Sequence, residues 1–332
     1  MLQLIMPTMA LAGLLFLSGC ASTISLSDYR QEVQLQAAER LPTEADLNNQ
    51  SRAKVVVFEA DDSNLVRARR AQVATTLTRS IEQLLGANGA EVIDRDVAAQ
   101  LGQELQLAEV KGVAGYEGPA LANFAVKSTI TLADYGSEYV PATSYTDKNG
   151  KTYTTPASYT HRATVNISLR VYEIPSLRLL KTLNSRGAST QSTRDRGSHE
   201  LASTLIRNAA QSGLNNVRAD LLSLFAPKGY VIGRRDNAGK SIFRVSIGRD
   251  QGLVAGNRLV IFTEQANIHP ITQKVSYDKI PVVEGYVTPI VGANEAWIVA
   301  TDNGKAKSVR LGDRIEVVHK SSGFGNMFRF GP

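Results

Sequence analysis

The chain places its one cysteine, Cys20, at the close of an apolar run, and this restricts how the remaining residues can be held together. With no second thiol there is no internal disulfide, so each domain must rest on packed apolar side chains and backbone hydrogen bonds. The composition can supply them. At 332 residues and 43% hydrophobic, the sequence has material for an ordinary core and predicts two domains. The net charge of +6 is dispersed, with basic residues in short groups such as Arg67, Arg69 and Arg70 and no interleaved aromatics, so nucleic acid is not an expected partner.

The apolar run, residues 9–17, is shorter than the ~20 residues needed to span a bilayer as a helix and suits the core of a signal peptide. It ends in Leu17-Ser18-Gly19-Cys20, which resembles the bacterial lipobox. That resemblance implies cleavage between Gly19 and Cys20, a diacylglycerol on the thiol and an acyl chain on the new amino group. Several chains anchor a protein stably where one holds it marginally. Ala21 and Ser22 follow the cysteine, without the aspartate that retains such proteins in the inner membrane, so the resemblance implies an outer-membrane anchor facing the periplasm. No Lys or Arg precedes the run, a departure from the usual signal peptide.

Residues 20–53 are polar, with Pro42 near the middle, and read as a flexible tether. The β-branched run Lys54-Val55-Val56-Val57-Phe58 predicts a strand buried on both faces. Val66, Val73, Leu77, Ile81, Leu84 and Leu85 recur at helical spacing and predict one helix, with Asp61, Asp62 and Ser63 available to cap it. A short strand at 90–93 and a second helix carrying Val97, Leu101 and Leu105 come next. Strands over 126–134, 163–174 and 177–189 and a long helix over 198–225 complete an α+β domain with a mixed sheet, residues 54–226. Between two of those strands lies an insertion, 135–161, dense in Tyr and Thr and turning at Asp147-Lys148-Asn149-Gly150; it reads as a projecting β-arm.

The first strand, Glu91-Val92-Ile93-Asp94-Arg95 with the helix after it, residues 122–132, and residues 164–173 followed by Leu180 together resemble the CsgG family of outer-membrane lipoproteins. The resemblance covers about half the chain and implies an envelope protein that assembles into homo-oligomers. In the family's curli secretion channel two hairpins per subunit build a membrane barrel. Here the faces of the arm carry Thr, Ser, Lys and Asp where a lipid-facing strand should alternate apolar, and residues 189–198 are too short for a spanning hairpin, so a pore is not expected.

After Pro227 the pattern changes to short strands and glycine turns. Gly256-Asn257-Arg258 before one strand is echoed by Gly312-Asp313-Arg314 before another, and five or so strands over 227–320 predict a small β-barrel. This part is similar to the C-terminal domain of flagellar assembly proteins. The last segment, 321–332, sets Phe324, Phe328 and Phe330 among glycines, a peptide suited to a partner's groove.

His161, His199, His269 and His319 are scattered without metal-ligand spacing, and there is no phosphate-cradling loop or nucleophile motif. No enzyme activity, metal, soluble cofactor or small-molecule substrate is therefore expected; the covalent lipid at Cys20 is the one added group. The expected role is a non-enzymatic scaffold in a secretion or appendage complex of the envelope, contacting other proteins through Tyr139, Tyr145, Tyr153, Tyr159 and the three tail phenylalanines. Activation of a peptidoglycan synthase is the alternative and a CsgG-type secretion channel the second. A tether of ~30 residues, ~100 Å at full stretch, is short for a protein that must reach across the periplasm, which ranks the activator lower.

Overall fold

The computed structural model describes residues 25–48, 50–94, 96, 99–111 and 122–319. Cys20, Gly19, Phe324, Phe328 and Phe330 lie outside the described residues. The described chain starts with strand β1 (Gln31–Val33) and the short helix α1 (Glu44–Asn48), then enters a five-stranded mixed sheet. In it β2 (Lys54–Val57) is parallel both to β3 (Glu91–Ile93) and to β4 (Phe124–Val140). Val55, Val56 and Val57 are fully enclosed, as a β-branched run between two layers requires.

Beyond β4 a two-stranded ribbon, β5 (Thr143–Thr146) and β6 (Thr152–Thr155), forms the far part of the insertion. The chain returns as β7 (Ser158–Glu173), antiparallel to β4 over its whole length, and β8 (Arg178–Thr193) pairs along all of β7 and forms one edge of the sheet. β8 thus runs on to Thr193, four residues past the strand expected from the sequence.

Helices α2 (Val66–Arg70), α3 (Val73–Ala87) and the 27-residue α5 (His199–Phe225) cover one face. Leu77, Ile81, Leu85, Leu205, Leu214 and Leu221 meet Val165, Ile167, Leu169 and Val171 there. α4 (Ala99–Lys111) covers the other face near β2, through Leu101 and Leu105 against Val56 and Tyr172. Ser198 caps α5, its hydroxyl accepting the Leu201 amide at 3.1 Å.

The single helix expected over 66–85 is two. Gln72 turns left-handed at φ 52°, and the Arg207 guanidinium donates to the Ala71 carbonyl that the break leaves without a helical partner. Asp61 does not cap either helix: its carboxylate accepts the Ser63 amide, and the residue before α2 is Leu65, with no side-chain cap.

The C-terminal part is a closed six-stranded barrel of β9 (Lys228–Asn237), β10 (Lys240–Val245), β11 (Arg258–Ile268), β12 (Val275–Val291), β13 (Ala296–Ala300) and β14 (Arg314–Val317). Around the wall the order is β9, β10, β13, β12, β11, β14, and β14 closes onto β9. Phe243, Val245, Leu259, Ile261, Ile298 and Ile315 fill it.

The echo in the sequence marks a duplication. At an offset of 56 residues Gly229-Tyr230-Val231 matches Gly285-Tyr286-Val287, Ile242 matches Ile298, Gly248 matches Gly304, and Gly256-Asn257-Arg258 matches Gly312-Asp313-Arg314. The pairings obey the same offset. Ile242↔Val299 is mirrored by Phe243↔Ile298, Leu259↔Val317 by Ile261↔Ile315, and Arg258↔Tyr286 by Arg314↔Tyr230. Both turns are built alike: Asn257 accepts the Val254 amide at 2.9 Å and Asp313 accepts the Arg310 amide at 2.7 Å, with Gly256 and Gly312 at φ 84° and 87°. Two copies of a three-stranded unit therefore interlock about an approximate two-fold axis.

The expected tether differs in its described part. β1 adds to β9 at Gln31↔Asp236 and Val33↔Arg234, beside the edge that β14 leaves open. Ala38 and Leu311 continue the contact through backbone hydrogen bonds, and Leu35 packs on the barrel core. A bare edge strand is a ready template for pairing with another chain, and residues 31–40 form a strap that covers it.

Candidate functional site

Two hairpin arms project from this frame, and they are the surfaces with the most exposed apolar and aromatic side chains. The first arm is the predicted insertion. β4 and β7 stay paired to Val140↔Ser158, then Pro141-Ala142 and Pro156-Ala157 stand opposite each other and interrupt the ladder. β5 and β6 resume it to a tip where Asp147 accepts the amides of Asn149 and Lys151, both at 2.9 Å, and Gly150 is left-handed. The tip is the predicted Asp-Lys-Asn-Gly turn.

The four tyrosines named from the sequence fall on this arm as two cross-strand pairs. Tyr139 and Tyr159 are directly opposite, with ring centroids 5.2 Å apart, and Tyr145 lies opposite Tyr153. Tyr145 is 67% exposed and Tyr153 51%, with the Lys151 ammonium 5.1 Å from the centre of the Tyr153 ring, whereas Tyr159 is half-buried. The opposite face of the base carries Glu138, Val140, Thr160 and Arg162, and neither face presents a continuous apolar band.

The arm's base is held by His161, which in the sequence stands out only as one of four scattered histidines. His161 is fully buried; its Nδ1 lies 2.8 Å from the Tyr135 hydroxyl and its Nε2 2.8 Å from Thr193 Oγ1. Thr193 donates its own proton to the Asp195 carbonyl, so it accepts from Nε2–H, which leaves Nδ1 to accept from tyrosine. The clasp joins β4, β7 and β8 where the arm leaves the sheet. The alternation of the strand through Val165, Ala163 and His161 toward one face could have found it.

The second arm was not foreseen. β11 and β12 outrun the barrel and remain paired to Ile268↔Val275. Residues 263–283 lie between the two duplicated units. Ile268, Ile271, Val275 and Tyr277 are 57%, 86%, 48% and 43% exposed. The strap braces its base: Glu39 accepts the Ala266 amide at 2.9 Å, Arg40 pairs with Glu264 at 3.1 Å, and the Arg40 guanidinium lies over the Tyr277 ring.

A cleft of about 430 Å³ sits where α5 passes into β9, lined by Gln50, Asn123, Phe124, Phe225, Lys228 and Arg314 among others. Burial lowers the Lys228 ammonium pKa against the opposing pull of Glu316, and burial raises the Tyr230 phenol. Among the described residues no group of three or more His, Cys, Asp or Glu side chains could hold a metal ion, and no helix is long and apolar enough to cross a membrane.

No protein-family model and no curated protein matches the sequence. Among solved structures, lipoprotein GNA1162 from Neisseria meningitidis is similar at 13% identity over 48% of this chain and 98% of that one, with a TM-score of 0.22. A minor lipoprotein from Acinetobacter baumannii is similar at 12% identity over 51% and 94%, TM-score 0.23. The hypothetical protein CT253 from Chlamydia trachomatis is similar at 14% identity over 52% and 97%, TM-score 0.29. None of these superpositions is close enough to define a shared fold.

Proposed function

We propose that the chain is a lipid-anchored scaffold of the bacterial cell envelope, acylated at Cys20 in the outer membrane, facing the periplasm and engaging other envelope proteins without catalysis. The observation that carries the reading is the first arm. A hairpin stiffened by a buried clasp at its base holds a pair of exposed tyrosines well away from the sheet. Tyrosine gives large amphipathic contact area for little loss of side-chain freedom, which suits a protein contact. The homo-oligomer expected from the CsgG resemblance has a surface to use in β8, the edge strand of the sheet, where Asn216 of α5 donates to the Arg186 carbonyl at 3.0 Å and no further strand is paired among the described residues.

The test is cross-linking and mass spectrometry on full-length protein extracted in detergent, with size-exclusion chromatography and electron microscopy of the same sample. The reading expects a multi-subunit particle and cross-links from residues 143–155 to another protein. A monomer without cross-links from the arm overturns it. Palmitate labelling that is unchanged by Cys20→Ala overturns the anchor.

A further inference from the structure

We propose that the tip of the second arm, residues 268–277, is a membrane contact that dips into the interfacial layer of an anionic lipid surface and fixes how the barrel sits on it. The proposal takes its orientation from the anchored-scaffold reading. Its chemistry stands on the hairpin.

Directly opposed residues share a face of a ribbon, so Ile268, Val275, Ala266 and Tyr277 form one face and Asn267, Ser276, Gln265 and Asp278 the other. Ile271, in the turn beyond the last pair, is 86% exposed. The tip that presents it is tied rather than loose: the His269 amide donates to the Lys274 carbonyl at 3.0 Å, the Gln273 amide to the His269 carbonyl at 2.9 Å, and His269 Nδ1 accepts the amides of Ile271 and Thr272 at 3.3 and 3.2 Å. The backbone that would enter the headgroup region therefore carries several of its hydrogen bonds internally, as a low-water environment demands.

Charge selects lipid as the occupant. From 265 to 277 there is no Asp or Glu, and Lys274 is the one Lys or Arg; the nearest carboxylate, Asp278, lies on the polar face and accepts from the Asn267 amide group at 3.2 Å. Isoleucines ringed by a tyrosine and a lysine match the boundary of a bilayer, where the ring lies at headgroup depth and a lysine reaches back to phosphate.

Topology brings the tip to the right place. β9 and β11 both run antiparallel to β14 between them, so they point the same way. β1 pairs with the last residues of β9, so the chain arriving from Cys20 meets the barrel at the rim from which the second arm rises. The eleven residues from Cys20 to Gln31 reach at most about 40 Å, which keeps that rim near any membrane that holds Cys20. β14, in contrast, ends beside Arg258 at the opposite rim.

The experiment attaches a nitrobenzoxadiazole label to Ile271→Cys in the full chain, reconstituted through its own lipid into vesicles of phosphatidylethanolamine and phosphatidylglycerol. The expected result is a blue-shifted, several-fold brighter emission that is quenched by lipid carrying a nitroxide high on its acyl chain. The same label at Lys148→Cys, on the first arm's tip, should emit as in water. Anchoring is read separately by flotation. Protein that floats while its 271 label emits as in water overturns the arm proposal and leaves the anchor standing. A shift produced by unlabelled protein without vesicles also overturns it, because a second copy then covers the tip. If the protein does not float, the anchor reading fails. The label is then read on the Cys20→Ala chain in excess vesicles, where a shift with phosphatidylglycerol and none with phosphatidylcholine supports the arm and no shift overturns it.

Discussion

Asp313 and Asn257 do the same work in the two halves of the barrel, yet one is a carboxylate 1% exposed and the other an amide. Burial raises the Asp313 pKa above the usual carboxyl value. Between the two values the folded protein keeps a proton that the unfolded chain has released, so stability falls as pH rises through that window. Asp313→Asn keeps the acceptor for the Arg310 amide, as Asn257 does for Val254, and removes the buried charge. It should stabilise the protein by on the order of 1 kcal/mol at neutral pH, with the difference vanishing below the acid end of the window in thermal melts taken across pH. A gain that persists unchanged at acid pH would exclude the charge as its cause. A Cβ on Gly187 would fall 1.9 Å from the Ala209 carbonyl oxygen of α5, whereas one on Gly213 would meet nothing nearer than 3.4 Å. Gly187→Ala should cost about 2 to 3 kcal/mol and Gly213→Ala much less, measurable by urea unfolding.

Among the elements, the first arm would separate folding from the proposed partner contact. Its far ribbon contributes no residue to the buried clusters, so replacing 143–155 with a two-residue Asn-Gly turn should leave the melting temperature within about 2 °C, since such a change moves stability by under about 0.5 kcal/mol. Cross-links to partner proteins should disappear. This arm was legible in the sequence because its cues are local: alternation in the flanking strands and an Asp-Lys-Asn-Gly turn. Elements fixed by distant contacts were not. The break at Gln72 depends on Arg207, and β1 is three unremarkable residues, Gln-Glu-Val, that become a strand only beside β9. The second arm hid because Ile268 and Val275 alternate as a buried strand would; only their position beyond the barrel wall leaves them exposed. Half of the duplication was visible at the two Gly-Asn/Asp-Arg turns. The rest had diverged to scattered matches such as Gly-Tyr-Val, and the shared register is what reveals it.

At the scale of the whole molecule, the long helix sets the layout. α5 starts at the Ser198 cap close to the clasp and ends at Phe225, 5.3 Å from Phe124 and next to the barrel. Its 27 residues span about 40 Å, so the first arm and the barrel stand at opposite ends of the molecule. With the proposed membrane contact at one end and the proposed protein contact at the other, the molecule would act as a spacer. The strap ties residues 31–40 to the last third of the chain. Deleting 25–41 should lower the barrel's unfolding transition by several degrees and promote association through the uncovered β9 edge, seen by calorimetry and light scattering. An unchanged transition would show that the strap adds nothing.

Gln31 finds its partner only at Asp236, some two hundred positions later. A chain exported from its amino end would therefore secure its earliest segment last, since contacts of such high sequence separation wait for everything between them to condense. Until the barrel closes, residues 31–33 have no edge to dock on, so the pairing of this strand would report that the last third of the chain has folded.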